Sequence, residues 1–111
     1  MTELENAIHQ WGYDKGILKV ENLNNYGDYL HMRLKQAEKT KEELRELFDA
    51  IEADNEAEVM DAVGDIFVTL VMQVGLWNNI DSVEECAQSA YEIISKRTGK
   101  MVNGQFVKDQ G

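Results

Sequence analysis

The sequence predicts an all-α fold, a small antiparallel bundle of about four helices followed by a short C-terminal β-like hairpin. Three observations support this prediction. The 111 residues include no proline, so the strongest helix breaker is missing. Leu, Glu, Lys, Arg and Ala, which favour helices, fill the long central segments. Glycine and asparagine are concentrated between those segments, where they predict turns. A chain of this length is expected to form a single domain, residues 1–111, with one buried core.

The first two helices are predicted from their boundaries. The first helix covers about residues 2–11, because Thr2-Glu3-Leu4-Glu5 reads as a capping box and Gly12 follows. An irregular connector with glycines and asparagines comes next. The second helix covers about residues 28–53, a stretch without proline or glycine.

The remaining elements follow short connections. A turn at Asp54-Asn55 precedes a third helix, which is predicted to cover about residues 56–77. A fourth helix begins after Asp81-Ser82 and is predicted to end near Thr98, with Lys96 and Arg97 in its last turn. The tail at 101–107 alternates about an Asn-Gly pair, which indicates a hairpin.

Net charge restricts the partners. Twenty-one acidic residues against eleven Lys and Arg give a formal net charge of −10. Such a surface repels phosphate backbones and anionic lipid, so we expect neither nucleic acid nor a membrane as a partner. A small anionic nucleotide remains compatible with this charge if a divalent cation neutralises the acids locally.

The compartment is inferred from Cys86 and from the first residues of the chain. A single cysteine cannot form an internal disulfide, which favours a reducing compartment. Glu3 and Glu5 lie where a secretory signal needs positive charge, and no apolar run approaches 18 residues. We therefore expect a cytoplasmic protein.

Acidic residues follow helical spacing on two successive helices. Glu58, Asp61 and Asp65 lie at i, i+3 and i+7, so their carboxylates share one face of the third helix. An apolar stripe on another face of that helix is predicted to be core: Val59, Val63, Ile66, Phe67, Leu70 and Val74. On the second helix the acids project away from its apolar side, which comprises Leu44, Leu47, Phe48 and Ile51.

These acids predict a metal site. If the second and third helices are antiparallel neighbours, their acids face one another, and two carboxylates about 4 Å apart repel by roughly 4 kcal/mol at an effective dielectric of 20. A hard cation, Mg²⁺ or Mn²⁺, would offset that repulsion, since the ligands are all oxygens. The favoured ligands are Glu43, Glu46, Asp61 and Asp65, whereas a solvated face is favoured for Glu38, Glu52, Asp54 and Glu56.

Four segments carry a family resemblance. They read Gln36-x-x-Lys39-x-x-Glu42-Glu43-x-x-Glu46, Glu58-Val-Met-Asp61-Ala-Val-Gly-Asp65, His9-Gln10-Trp11-Gly12-Tyr13-Asp14-Lys15-Gly16-Ile17-Leu18 and Lys96-Arg97-Thr98-Gly99-Lys100-Met101-Val102-Asn103-Gly104. Taken in the order in which they occur along the chain, these segments resemble the all-α nucleoside triphosphate pyrophosphohydrolases, specifically the small MazG-like proteins of bacteria and phages. The resemblance covers nearly the whole chain.

The sequence departs from the family pattern at Ala62, where many members have a glutamate three residues before the final aspartate. Two alignments satisfy the pattern. One uses Glu58 and Asp61 by spacing, and the other keeps Asp65 and lets Asp61 replace the missing glutamate. The second alignment is favoured, with Glu58 as a further candidate metal ligand.

The resemblance implies an activity and roles for individual residues. The protein would cleave a nucleoside triphosphate between the α and β phosphates, with Mg²⁺ as cofactor and Mn²⁺ as a substitute. Glu42 or Glu46 would activate the attacking water. Lys39, Arg97 and Lys100 would contact substrate phosphates. A homodimer or homotetramer, with sites formed partly between subunits, is also implied.

Two alternatives remain open. A related phosphoribosyl-ATP or dUTP/dCTP-type pyrophosphatase would share the same motifs. A non-enzymatic acidic protein that binds a basic partner would explain the charge, but eleven of the 21 acids lie between Glu38 and Asp65, and that concentration favours the enzyme. Five aromatic residues could stack on a base, although a core position is favoured for each: Trp11, Tyr26, Tyr29, Trp77 and Tyr91.

Overall fold

A computed structural model describes residues 1–110 and confirms the all-α bundle with its hairpin tail. The helices are α1 (Glu3–Asp14), α2 (Tyr26–Glu52), α3 (Glu56–Gly75) and α4 (Val83–Ile94), with a 3₁₀ turn at Val20–Asn22. The hairpin consists of β1 (Gly99–Val102) and β2 (Gln105–Lys108). Among residues 1–110, none of the helices combines the length and the hydrophobicity of a membrane-spanning segment.

Each helix begins at a polar side chain that accepts a hydrogen bond from a backbone N–H three residues later. The four N-caps are Thr2, Asn25, Asn55 and Ser82. Caps of this kind satisfy one of the free N–H groups at the start of a helix. The predicted helix starts near Thr2, Asn55 and Ser82 are therefore confirmed.

Two predicted helix ends are wrong. Helix α1 continues to Asp14 because Gly12 does not break it; Gly12 is buried, and a Cβ there would collide with the Met72 side chain. Helix α4 ends at Ile94, so Lys96 and Arg97 follow the helix instead of forming its last turn. The hairpin explains the early end, since Thr98 is already bonded to Asp109 through both its carbonyl (2.9 Å) and its hydroxyl (2.7 Å).

The hairpin forms where it was predicted. Asn103 and Gly104 both have positive φ, 50° and 80°, as a two-residue turn of the primed type requires. Met101 pairs with Phe106, and Val102 with Gln105. Apart from pairing with each other, the two strands make no extended contact with a helix of the described chain.

The core lies at the end of α3. Leu18, Val71, Met72 and Leu76 are buried there, and side chains from α1 and its following loop pack around them. The predicted core stripe of α3 is therefore wrong in part, because Val63 and Leu70 are exposed. On the apolar side of α2, Leu44, Phe48 and Ile51 are exposed as well.

Helices α2 and α3 are antiparallel neighbours, as predicted. The Thr40 hydroxyl donates to the Thr69 hydroxyl over 2.8 Å. Nearer the other end, the Gln73 amide donates to the Arg33 carbonyl over 2.9 Å, and Arg33 Nε donates to the Leu76 carbonyl over 3.0 Å. These bonds set the register in which the acids of the two helices meet.

Candidate metal centre

Three carboxylates from α2 and α3 converge. Glu43, Glu46 and Asp65 each offer a carboxylate oxygen, and these oxygens all lie within 4.8 Å of one another. Glu43 and Glu46 lie on one face of α2, three residues apart, and Asp65 is opposite them on α3. A set of oxygen ligands this close fits a hard divalent cation.

Glu43 is the most informative member of the cluster. Its side chain is buried, with a residue exposure of 8%, and its Oε2 has no hydrogen-bond partner in the described chain. Its Oε1 lies 3.6 Å from Lys39 Nζ. Burial, followed by the adjacent Glu46 carboxyl, raises the pKa of Glu43. A buried, unpartnered carboxylate oxygen is costly unless something satisfies it, and a cation would do so.

Asp61 and Glu58 lie beside this cluster but not within it. Both line a cavity of about 390 Å³ that Glu46 and Asp65 also border. Ala62, the position of the departure from the family pattern, is buried and lines the same cavity. A glutamate at this position would therefore extend from the wall of the acidic cavity.

Glu42 is not one of the three clustered acids. Its carboxylate pairs with Lys39 over 3.2 Å, and it lines a cavity that Glu46 shares but Asp65 does not. Lys39 lies between Glu42 and Glu43, and its pKa is raised, first by the hydrogen bond to Glu42. Of the two predicted water-activating residues, the geometry brings Glu46 into the cluster and leaves Glu42 outside it.

Arg97 and Lys100 are not brought near the acids within the chain. Three cavities border Asp65, and neither residue lines any of them. Lys39 does line one of the three. Of the predicted phosphate contacts, Lys39 alone adjoins the cluster in the described residues.

One of the cavities that border Asp65 also borders Glu43 and has a volume of about 410 Å³. Its other walls are apolar, aromatic and basic side chains together with an amide: Trp11, Ile17, Lys35, Gln36, Lys39, Val68, Thr69 and Met72. We name it the Trp11 cavity. Cavities of this size and mixed lining are typical of small-molecule sites.

Trp11 corrects the prediction that the aromatic residues belong to the core. Trp11 is exposed, as are Tyr26, Trp77 and Tyr91. Trp77 and the half-buried Tyr29 lie against the Arg33 guanidinium, at 3.8 Å and 5.1 Å from ring centre to Cζ. Of the five aromatic residues, only Trp11 borders both Glu43 and Asp65.

Two residues of the Trp11 cavity were missed as candidates. Gln36 and Lys35 line it, yet neither was assigned a role from the sequence. Gln36 precedes Lys39 by three residues and Glu43 by seven, so the three share a face of α2. That spacing was a usable signal for Gln36.

Comparison with known proteins gives one result. The family model for phosphoribosyl-ATP pyrophosphohydrolase matches residues 21–89, which include all of α2 and α3. Neither the curated proteins nor the solved structures provide a match. The matched segment covers more than half of the chain and contains every acid of the candidate metal centre.

Proposed function

The chain belongs to the phosphoribosyl-ATP pyrophosphohydrolase family, and from this premise we propose that it is a Mg²⁺-dependent nucleoside triphosphate pyrophosphohydrolase of the MazG-like type. Membership makes it an enzyme that hydrolyses pyrophosphate bonds in nucleotide-like substrates. In the proposed reaction, water attacks the α phosphorus, the bond to the α–β bridging oxygen breaks, and nucleoside monophosphate and pyrophosphate leave. The observation that carries the proposal is the buried, unpartnered Glu43 oxygen beside Glu46, Asp65 and the Trp11 cavity.

The family is of a divalent-metal-dependent type, and the acidic cluster fits such a cation. We propose Mg²⁺, with Mn²⁺ as a substitute, held by Glu43, Glu46 and Asp65 and assisted by Asp61 or Glu58. When bound, the cation would polarise a phosphate oxygen and lower the pKa of a water molecule. The negative charge of the carboxylates also repels the substrate phosphates until a bound cation neutralises the carboxylates.

Proton removal from the attacking water is assigned to Glu46. Its carboxylate lies in the cluster, whereas that of Glu42 is paired with Lys39. A carboxylate near the reacting water can accept its proton as a general base. Glu42 instead positions Lys39, whose ammonium borders the Trp11 cavity and can contact a phosphate.

The Trp11 cavity is proposed to hold the nucleoside. The exposed Trp11 ring offers a surface on which a base can stack. The Gln36 amide can both donate and accept a hydrogen bond at a base edge. Because the cavity adjoins Glu43 and Asp65, a base held there would leave its phosphates beside the acids.

Arg97 and Lys100 remain proposed phosphate contacts. Within one chain they do not line the cavities at Asp65, so they would reach a substrate only after the C-terminal hairpin moves or from a second subunit. A homodimer or homotetramer and a cytoplasmic location also remain proposals. No nucleic acid or membrane is proposed as a partner, because the net charge is −10.

The proposal is tested by measuring pyrophosphate release from ordinary, deoxy and modified nucleoside triphosphates, with phosphoribosyl-ATP in the same panel, each with and without Mg²⁺. We expect Mg²⁺-dependent release from at least one nucleoside triphosphate. Turnover of phosphoribosyl-ATP alone would favour the related pyrophosphatase. No turnover at all, together with tight Mg²⁺-independent binding to a basic protein, would favour an acidic binding protein.

The departure at Ala62 gives a second test. Ala62→Glu would add a carboxylate to the acidic cavity. We expect tighter Mg²⁺ binding and a lower melting temperature without metal, since the added charge is buried against other acids and the larger side chain crowds the contact between α2 and α3. Unchanged Mg²⁺ affinity would show that Asp61 or Glu58 already supplies the fourth ligand. The matched control is Ala57→Glu on the exposed part of the same helix.

A further inference from the structure

Lys39 makes two ion pairs with acids of its own helix. Its Nζ lies 3.2 Å from Glu42 Oε2 and 3.6 Å from Glu43 Oε1. The Glu42 side chain is exposed, whereas that of Glu43 is only 10% exposed. The hydrogen bond to Glu42 is the largest of the causes that raise the pKa of Lys39, so the ammonium keeps its charge. One lysine thus connects an exposed acid with a buried acid of the candidate metal centre.

The two carboxylate oxygens of Glu43 have different surroundings. Oε1 faces the Lys39 ammonium, while Oε2 is buried and has no hydrogen-bond partner among residues 1–110. Glu46 and Asp65, the other acids of the cluster, are exposed, so water can hydrate their carboxylates. Glu43 is therefore a buried acid with one oxygen beside a positive charge and the other without a partner.

The charge on Lys39 restricts how Glu43 can bind a cation. A divalent cation that approached Oε1 would also approach the ammonium, and like charges repel. Oε2 lacks a hydrogen-bond partner within residues 1–110, so this oxygen remains open to a ligand. A cation in the cluster would therefore meet one available oxygen of Glu43 rather than two.

The number of oxygens that a carboxylate offers affects the choice of cation. Ca²⁺ takes about six to eight oxygen ligands and binds a carboxylate through one or both oxygens. Mg²⁺ is smaller, requires a near-octahedral arrangement and usually keeps several waters. An acid that is limited to one oxygen thus suits Mg²⁺ better than Ca²⁺.

We propose that Lys39 is a positioning residue that limits Glu43 to one metal-binding oxygen and thereby favours Mg²⁺ over Ca²⁺ at the candidate metal centre. The inference rests on the proposed function in one respect, namely a divalent cation held by Glu43, Glu46 and Asp65. It adds a role in metal selectivity to a lysine that is otherwise assigned to a phosphate. Glu42 supports this role, because its exposed carboxylate holds the ammonium beside Glu43.

The ratio of Mg²⁺ to Ca²⁺ affinity tests this role without enzymatic activity, by isothermal titration calorimetry of the metal-free chain. Lys39→Met removes the charge but keeps an unbranched side chain. Loss of the charge should strengthen the binding of both divalent cations alike, so this effect cancels in the ratio. The freed Oε1 should then favour Ca²⁺. We expect the ratio to fall by about tenfold, the lower end of what residues that support metal ligands contribute.

Lys35→Met is the matched control. Lys35 lies one turn before Lys39, borders the Trp11 cavity as Lys39 does, and pairs with Glu38 at the same spacing over 3.4 Å. The Lys35 side chain is 57% exposed, against 54% for Lys39. The two substitutions therefore remove the same charge from similar surroundings, but of the two lysines Lys39 is the one paired with a clustered acid. We expect the ratio in Lys35→Met to equal that of the unmodified chain.

A conservative variant shows whether the positive charge beside Glu43 is responsible. Lys39→Arg keeps a positive charge and N–H donors at this position, so it should keep the ratio close to that of the unmodified chain. An unchanged ratio in Lys39→Met would overturn the proposal. So would a fall in Lys35→Met or Lys39→Arg as large as that in Lys39→Met.

The same titrations separate this proposal from the proposed function. If the unmodified chain binds Mg²⁺ but Lys39→Met leaves the ratio unchanged, the selectivity role of Lys39 is refuted and the metal centre stands. If the unmodified chain binds neither cation, the metal centre and the role of Lys39 are both refuted. Far-UV circular dichroism should show an unchanged helical spectrum in each variant, because the Lys39 and Lys35 side chains are exposed.

Discussion

The two sides of the α2–α3 layer differ in both chemistry and completeness. On one side, Glu43, Glu46 and Asp65 offer carboxylate oxygens within 4.8 Å of one another, and one buried oxygen has no hydrogen-bond partner among residues 1–110. On the other side, Leu34, Phe48 and further apolar side chains remain exposed. The chemistry of the first side suits a divalent cation, whereas the second side is apolar. The comparison shows that one helical hairpin separates an acidic side from an apolar side, while the contacts between α2 and α3 hold the two helices together.

The largest expected effect comes from removing an acid of the metal centre. Asp65→Ala and Glu43→Ala should each lower Mg²⁺-dependent pyrophosphate release by more than about a hundredfold, since even residues that only support metal ligands cost about 10- to 100-fold. The far-UV circular dichroism spectrum should not change, because neither acid belongs to the hydrophobic core. Glu52→Ala, at an exposed acid of the same helix, is the control. Near-normal activity in both variants would refute the assignment.

A smaller effect, on folding stability, is expected at the contact between α1 and the start of α4, which belongs to neither side of the α2–α3 layer. Glu5 on α1 is buried and accepts hydrogen bonds from the backbone N–H groups of Val83 and Glu84, over 2.9 Å and 3.0 Å, at the start of α4. Glu5→Gln places an amide donor against one of those donors and should lower the free energy of unfolding by about 2 kcal/mol. Urea denaturation measures this loss.

Glu3→Gln is the control for Glu5, because Glu3 lies exposed in the same first turn. If Glu5→Gln is as stable as the unmodified chain, the long-range cap at α4 contributes nothing. If it also lowers activity per folded molecule, α1 and α4 are coupled to the acidic side.

The pH dependence of the melting temperature of the metal-free protein tests the acidic side without relying on enzymatic activity. The pKa of Glu43 is raised above 4.5 in the folded chain, first by burial and then by Glu46. The folded chain therefore binds this proton more tightly than the unfolded chain, so Glu43 favours folding at low pH and opposes it at higher pH. Glu43→Gln should match the unmodified protein below pH 4.5 and melt a few degrees higher above the raised pKa.

Differential scanning calorimetry in a chelator gives this comparison. Glu42→Gln provides the control, because its carboxylate is exposed and paired with Lys39. A melting difference that shrinks as pH rises would contradict the direction of the Glu43 shift.

Local features of the molecule were predictable from the sequence because they depend on nearby residues. The caps at Thr2, Asn55 and Ser82 and the turn at Asn103-Gly104 need only their own segment. The convergence of Glu43, Glu46 and Asp65 was also accessible, since helical spacing and one short connection bring the two faces together. The helix end at Ile94 was missed because the bonds of Thr98 come from eleven residues further along the chain.

The candidate site was predictable only in part, because it too depends on contacts between residues that are distant in the sequence. Whether Asp61 or Glu58 joins the cluster depends on the rotation of α3 against α2, and the sequence leaves that rotation open within one helical face. The exposure of Trp11 depends on Gly12, which packs against Met72 and leaves the indole beside the acids. No pattern within α1 indicates this arrangement.

The sequence by itself determined the helical segments, three of the four N-caps, the hairpin turn and the two chemically distinct stripes on α2 and α3, because each arises from spacing within one segment. The tertiary structure decided which stripe is buried. Small residues and hydroxyls between the helices, such as Ala62 and Thr69, let the backbones approach and direct Glu43 inward. The contact between α2 and α3 turns the acids of the two helices toward one another and leaves apolar side chains such as Leu34 and Phe48 exposed. It depends on residues nearly thirty positions apart, Thr40 and Thr69.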